Sequence, residues 1–146
     1  MRKKAAIALD IDGTMTTADP EALKLLRDHA AANNLPELYI NTARDEAYCT
    51  NPSLHTTKWV KQENSFCRPT YGNVVEWKIQ NMNRMVNREG VYNECAVLVD
   101  DRPENINGVK AHNYIGIKVD PLTGITKDTV RDIFKSLKNC GVSQIE

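Results

Sequence analysis

Three short apolar runs, each typical of a buried β-strand, end abruptly in polar residues. The runs are Ala5 to Leu9, Leu38 to Ile40 and Cys95 to Val99. Helical patterns separate them, and strands that alternate with helices predict a parallel sheet covered on both faces. In an open α/β sheet, residues that follow the strands meet in one crevice even when they are distant in the chain. The sequence therefore predicts a three-layer α/β fold with a ligand site at the carboxyl edge of the sheet.

The residues that follow these strands are rich in carboxylates. Asp10-Ile11-Asp12-Gly13-Thr14 follows the first run, Asn41-Thr42-Ala43-Arg44 the second and Asp100-Asp101 the third. Carboxylates gathered in one crevice repel one another unless a cation neutralises them. Carboxylate oxygens select a hard divalent ion such as Mg²⁺. The predicted metal-binding residues are Asp10, Asp12, Asp100 and Asp101.

The size and charge of the chain exclude several classes of protein. A chain of 146 residues, 41% of them apolar, is expected to form a single domain over residues 1–146. Its 19 basic and 19 acidic residues give no overall attraction to nucleic acid or membrane. No apolar stretch approaches the roughly 20 residues that span a bilayer, and the short run after Met1 to Lys4 is not expected to be an export signal. We therefore expect a soluble, cytoplasmic protein without a membrane partner.

The cysteines show no paired close spacing of the kind that binds zinc. We interpret them as reduced residues that mostly pack in the interior. They are Cys49, Cys67, Cys95 and Cys140.

Two helices have clear start signals. Asp19-Pro20 supplies an N-cap and a first helical residue for a helix from about Glu21 to Ala32. Asn73 is expected to cap a longer helix that continues to about Arg88 and closes at Glu89-Gly90. The predicted buried residues are Leu23, Leu26 and Ala30 in the first helix, and Val75, Ile79, Met82 and Val86 in the second.

The remaining elements are assigned with less detail. A short helix from Pro103 to about His112 and a last strand from Ile115 to Val119 precede a final helix. Prolines and a glycine interrupt residues 45–72, where we expect only a helix near Leu54 to Gln62 and a brief strand near Phe66. The final helix is expected to bury Val130, Ile133, Phe134 and Leu137.

The residues at the strand ends suggest phosphoryl transfer. Asp10 can attack phosphorus to give an aspartyl phosphate, and Asp12 can protonate the leaving alkoxide and later deprotonate water. Thr42 offers a hydroxyl and Lys78 a positive charge to the transferring phosphoryl group. Lys58 and Lys61 are alternatives to Lys78. Asp101 completes the metal site, while Asp100 either supports it or caps the following helix.

The order Asp-x-Asp-Gly-Thr, Thr, Lys and Asp-Asp, from Asp10 to Asn105, resembles the four motifs of the haloacid dehalogenase superfamily. The resemblance implies the Rossmann-like sheet of that superfamily. It implies Asp10 as nucleophile, Asp12 as acid/base whose backbone carbonyl also contacts Mg²⁺, and Asp101 as a direct ligand. Asp100 and Asn105 would support metal-bound waters. The second aspartate of the first motif indicates a phosphatase, because dehalogenating members lack it.

The spacing leaves no room for the cap domain that many members of this superfamily insert. An open, capless site goes with phosphoesters of nucleic acid or protein, or with small substrates covered by a neighbouring subunit of a homo-oligomer. Thr42-Ala43-Arg44 with Asp100-Asp101-Arg102 also resembles the phosphatase domain of polynucleotide kinase 3′-phosphatases. That resemblance implies that Arg44 and Arg68 clasp the phosphate.

Several functions stay open at this point. The first expectation is a Mg²⁺-dependent phosphomonoesterase acting on a nucleic-acid 3′-phosphate, although the neutral net charge weighs against nucleic acid. A phosphoprotein or sugar-phosphate phosphatase is the rival within the same superfamily. From other classes, a signalling receiver module also gathers aspartates, a threonine and a lysine around Mg²⁺, but in a different order along the chain. A catalytically silent binding protein on the same fold is the last alternative.

Overall fold

A single five-stranded parallel sheet organises the protein. The computed structural model describes residues 3–53, 58–69 and 71–145. The strands are β1 (Ala6–Leu9), β2 (Tyr39–Asp45), β3 (Ser65–Arg68), β4 (Ala96–Asp100) and β5 (Ile115–Lys118), in the spatial order β3-β2-β1-β4-β5. The helices are α1 (Pro20–Ala32), α2 (Glu46–Thr50), α3 (Val74–Glu89), α4 (Pro103–Lys110) and α5 (Lys127–Ser136). The predicted α/β fold is confirmed as a three-layer Rossmann-like arrangement.

The sheet separates two apolar cores because alternate residues of each strand face opposite sides. Ile7 and Leu9 of β1 pack in a core with α1 and α5, whereas Ala6 and Ala8 pack in a core with α3 and α4. β4 is buried along its whole length, as expected for a strand paired on both sides. Among the described residues, no helix is both long and apolar enough to cross a bilayer.

The predicted helix caps are confirmed. The Asp19 carboxylate accepts a hydrogen bond from the Glu21 N–H at 3.0 Å, and Pro20 is the first residue of α1. The Asn73 side chain accepts the Val75 N–H at 2.9 Å and so begins α3. Gly90 ends α3 in the left-handed region, with φ of 67°. The residues predicted to be buried in α1 and in the final helix are indeed buried: Leu23, Leu26, Ala30, Val130, Ile133, Phe134 and Leu137.

The buried face of α3 differs in part from the prediction. Met82 and Val86 are buried as expected, but Val75 and Ile79 are only partly covered. Lys78, Asn81 and Met85 occupy buried positions instead. The first half of α3 faces the polar ends of the strands, where Lys78 and Asn81 find hydrogen-bond partners that an apolar residue could not use.

In its described part, the segment that the sequence left poorly assigned contains a strand, a short helix and a 3₁₀ turn. The strand expected near Phe66 is β3, and β2 runs on to Asp45, well beyond the predicted end at Ile40. α2 was not predicted, although the Asp45 side chain caps it by accepting the Ala47 N–H. Of the helix expected near Leu54 to Gln62, residues 54–57 lie outside the described part. Residues 58–60 form bends, and a single 3₁₀ turn follows at Gln62–Asn64.

All four cysteines form disulfide bonds, so the interpretation of them as reduced residues is wrong. Cys49 of α2 bonds to Cys67 of β3, and Cys95 before β4 bonds to Cys140 near the carboxyl terminus. The partners are 18 and 45 residues apart in sequence, yet the fold brings their Cα atoms to 5.9 and 6.0 Å. These separations are typical of disulfides. The pairing of the cysteines therefore depends on the tertiary fold. A search for closely spaced cysteines in the sequence could not reveal it.

Removing either disulfide is expected to destabilise the fold, because each bond restricts the unfolded chain. Loop-closure entropy predicts a loss of about 4 kcal/mol in the free energy of unfolding for Cys95→Ser with Cys140→Ser, and about 3 kcal/mol for Cys49→Ser with Cys67→Ser. Urea unfolding without reductant measures both. Thiol titration of the denatured wild type should find no free thiol before reduction. Four reactive thiols in protein unfolded without reductant would contradict the pairing.

Candidate active site

A crevice of about 660 Å³ lies at the carboxyl edge of the sheet. Residues after β1 and β4 form its floor, the start of α3 forms one wall and the loop after β5 forms another. The lining residues that bear on chemistry are Asp10, Asp12, Lys78, Asp101 and Asn105. The structure therefore brings together five of the residues predicted from three separate parts of the sequence.

A tight turn after β1 directs the first aspartates into this crevice. The N–H groups of Thr14 and Met15 both donate to the carbonyl of Ile11, at 3.2 and 2.9 Å. Gly13 has φ of 74°, and a Cβ atom there would lie 2.7 Å from Oδ2 of Asp101. Glycine at this position therefore allows the turn to pass directly beside the Asp101 carboxylate.

Lys78 is the buried cation of the site. Its ammonium lies 2.9 Å from Oδ1 of Asp10 and 2.9 Å from Oδ2 of Asp100. The same group donates to the carbonyl of Asn41 at 2.6 Å, and the residue is only 2% exposed. The alternative lysines lie elsewhere. Lys61 pairs with Glu37 at 2.8 Å, and Lys58 lines a different recess.

Three carboxylates meet beside this lysine. Asp10, Asp100 and Asp101 each present an oxygen, and these oxygens lie within 4.8 Å of one another. Burial raises the pKa of Asp10 to about 6 against the opposing effect of Lys78, and the charge of Asp100 raises it further. Burial and Asp100 also raise the pKa of Asp101. When all three carboxylates are ionised, they carry more negative charge than the single ammonium of Lys78 balances.

The donor set fits a hard divalent cation. Carboxylate and amide oxygens are the ligands that Mg²⁺ takes in proteins, directly or through water. Asn105 donates from Nδ2 to Oδ2 of Asp100 at 3.2 Å. Its buried Oδ1 has no hydrogen-bond partner within the described part of the chain. That oxygen is thereby available to a metal-bound water, consistent with the supporting role predicted for Asn105.

Asp12 lies at the rim and is paired with Arg44. Nη2 of Arg44 donates to Oδ1 of Asp12 at 2.8 Å, and Nε donates to Oδ2 at 3.0 Å. This two-point contact holds the pKa of Asp12 below its usual range. The guanidinium also stacks 4.8 Å from the ring of Tyr48. In this structure Arg44 is therefore a partner of the predicted acid/base, which the sequence pattern did not indicate.

Thr42 and Arg68 support the neighbouring backbone. The buried Thr42 hydroxyl accepts the Arg44 N–H at 3.1 Å and keeps its own proton for another acceptor. Arg68 donates to the carbonyls of Ala43 and Gly72, at 3.3 and 3.4 Å. It braces the loop beside the crevice in this arrangement. The roles of both residues in phosphate binding stay predictions.

Asp100 does not cap α4, because the N-cap of that helix is Arg102 and, among the described residues, no side chain accepts a hydrogen bond from its first turn. The role of Asp100 in supporting a metal stays a prediction. Its Oδ1 accepts the Arg102 N–H at 3.0 Å, which shapes the chain just before α4. Its Oδ2 contacts Lys78 and Asn105 in the site. The short-range turn and the candidate metal site therefore share one side chain.

Sequence reasoning missed two asparagines that hold Lys78 in place. Asn41 donates from Nδ2 to the backbone carbonyl of Lys78 at 2.8 Å. Asn81 donates to Oδ1 of Asn41 at 3.1 Å. Asn81 lies three residues after Lys78, on the same face of a helix. That spacing was the signal that could have identified it.

Comparisons with known proteins support the fold alone. No protein-family model and no curated protein matches this sequence. Among solved structures, the chain is similar to an uncharacterized protein from Corynebacterium glutamicum ATCC 13032 Kitasato, with a TM-score of 0.61 and 15% sequence identity. The match covers 98% of this chain and 99% of that chain.

Replacing Lys78 by methionine is expected to lower the free energy of unfolding by about 3–5 kcal/mol at pH 8, because buried carboxylates lose their cation. Urea unfolding measures the change. Lys61→Met is the matched control, since Lys61 and Glu37 are exposed and such pairs contribute about 0–1 kcal/mol. If both variants lose the same free energy of unfolding, the burial of Lys78 makes no additional contribution to stability.

Proposed function

We propose that this protein is a Mg²⁺-dependent phosphomonoesterase that acts through an aspartyl phosphate, as a capless member of the haloacid dehalogenase superfamily. The observation that carries the proposal is the cluster of Asp10, Asp100 and Asp101 oxygens within 4.8 Å of one another, with Lys78 bonded to two of these residues. The order of the motifs along the chain supports the same conclusion.

In the first step, a carboxylate oxygen of Asp10 attacks the phosphorus of the substrate. A new bond forms between that oxygen and phosphorus, and the bond from phosphorus to the leaving oxygen breaks. Asp12, which must separate from Arg44 and carry a proton for this step, gives that proton to the leaving alkoxide. Lys78 holds Asp10 in place by its 2.9 Å contact, and the Thr42 hydroxyl can donate to a phosphoryl oxygen. The products are an alcohol and phosphorylated Asp10.

In the second step, Asp12 takes a proton from water. The water oxygen attacks phosphorus, the bond to Asp10 breaks, and inorganic phosphate leaves. Asp10 cannot remove this proton while it is esterified, so a second carboxylate is necessary. Water can reach Asp12, because 65% of the Asp12 side chain is exposed to solvent.

The chain would hold Mg²⁺ through Asp10 and Asp101, with Asp100 and Asn105 on its waters and the backbone carbonyl of Asp12 as a further ligand. The bound ion supplies positive charge to the carboxylates and the phosphoryl oxygens. The residues fit this role because their clustered oxygens carry negative charge in excess of the Lys78 ammonium.

The open crevice favours a large substrate. A nucleic-acid 3′-phosphate is the first candidate, a phosphoprotein the second, and a sugar phosphate covered by a second subunit the third. We expected a cytoplasmic location from the sequence, but the two disulfides weigh against it, because disulfides persist mainly in oxidising compartments.

Asp10→Asn is expected to lower kcat for p-nitrophenyl phosphate at least about a thousandfold, because the nucleophile is lost. Asp12→Asn is expected to lower kcat by about 10²–10⁴-fold, the usual range for an acid/base group.

EDTA should abolish wild-type activity and added Mg²⁺ should restore it. Asp128→Asn is the control, because Asp128 is an exposed residue of α5. Wild-type turnover that persists in EDTA would refute the proposal, and a phosphoprotein stable for minutes would favour a receiver module.

For a nucleic-acid substrate, KM should rise with salt, because contacts to the phosphate backbone release counterions. The measurement compares a 3′-phosphorylated oligonucleotide, a phosphopeptide and a sugar phosphate between about 50 and 200 mM salt. We expect the oligonucleotide to have the lowest KM and the strongest salt dependence. A KM for the oligonucleotide that does not change with salt would exclude a nucleic-acid substrate.

A further inference from the structure

A second recess adjoins the catalytic crevice at the Arg44–Asp12 pair. Asp12 lines the crevice, and Arg44 lines a recess of about 320 Å³. Lys58, Tyr48 and Trp59 form other parts of this recess. The ion pair therefore connects the place where a phosphoryl group would react to a separate, positively charged space.

The position of the acid/base fixes where the leaving group lies. The residue that protonates a leaving oxygen must come within hydrogen-bond distance of it. A leaving group that reaches Asp12 therefore also reaches the guanidinium of Arg44, which is 2.8 Å from Asp12. The recess beyond Arg44 is then the space available to the rest of the leaving group.

Arg44 competes with the leaving group for Asp12. Both carboxylate oxygens of Asp12 already accept hydrogen bonds from the guanidinium. A carboxylate or a phosphate also presents two acceptor oxygens side by side and satisfies the same fork of donors. Tyr48 stacks on Arg44 and would keep it in place while the anion is exchanged. Lys58 adds a second positive charge to the same recess.

From this geometry we propose that the substrate is a phosphomonoester whose leaving group carries a second anionic group. That group binds Arg44 in the recess and releases Asp12 to contact the leaving oxygen. Arg44 is then a residue that determines specificity. This inference rests on the proposed phosphatase function and names the class of substrate for the same site.

Two pairs of substrates, each with one phosphomonoester, test the inference. For a phosphate, the pair is thymidine 3′-monophosphate and the 3′-phosphorylated thymidine dinucleotide, whose leaving group carries a phosphodiester. For a carboxylate, the pair is glycerol 3-phosphate and 3-phosphoglycerate. In at least one pair, the wild type should show kcat/KM at least about tenfold higher for the anionic leaving group, mainly through a lower KM. The pair that shows the preference identifies the anion.

Variants of the recess separate specificity from structure. Arg44→Gln should bring the ratio of kcat/KM within the preferred pair close to one. Lys58→Gln should lower this ratio about threefold, because only one of two positive charges is removed. The matched control is Arg131→Gln, which removes an exposed arginine paired with Asp128 on α5 and should leave the ratio unchanged.

Three results would overturn the inference. The first is equal kcat/KM within both pairs in the wild type. The second is a loss in Arg44→Gln that is the same for both members of a pair, which would assign Arg44 to the transferring phosphate or to the fold. Circular dichroism reports whether the Arg44→Gln variant folds. If that variant does not fold, the third result is a ratio of kcat/KM within the preferred pair that is the same in Lys58→Gln as in the wild type. Equal hydrolysis within the pairs refutes this inference alone, whereas no Mg²⁺-dependent hydrolysis of any substrate refutes the proposed function as well.

Discussion

The buried ammonium of Lys78 is the interaction on which the site depends. It joins α3 to the ends of β1 and β4 through Asp10 and Asp100. Burying these ions costs solvation free energy, so their pairing is weak support for stability in itself. It does fix the position of α3, because the cation has to reach both carboxylates. The same contact that orients the helix thereby orients the candidate nucleophile.

The charges around Lys78 explain why this arrangement suits a divalent cation. Three clustered carboxylates and one ammonium leave two negative charges when all are ionised. Burial first, and the charge of Asp100 in addition, raise the pKa of Asp10 to about 6 and also raise the pKa of Asp101. A second lysine would add only half of the missing charge. A divalent cation supplies all of it and accepts oxygen ligands from several directions.

Local patterns predicted the parts of the structure that depend on local physics. Asp19 and Asn73 cap helices by bonding to nearby N–H groups, so a few residues were enough to identify them. The predicted meeting of Asp10 with Asp101 required only that parallel strands share an edge. The disulfides and the Arg44–Asp12 pair were not predictable in this way. They join residues that are at least 18 apart, and a position near a strand end does not say which individual side chain will be the partner.

The groups proposed for catalysis and those proposed for specificity lie at different parts of the sheet. The groups proposed to perform the chemistry follow β1 and β4, which pair with each other in the middle of the sheet. Of the groups proposed to select the substrate, Arg44 lies at the end of β2, and Tyr48 of α2, which stacks on it, lies in the β2–β3 connection. The neighbouring Cys49 is bonded to Cys67 of β3, so a covalent link holds α2 against the edge of the sheet. The link therefore restrains a short helix that has little intrinsic stability, and it helps Tyr48 to hold Arg44 in place.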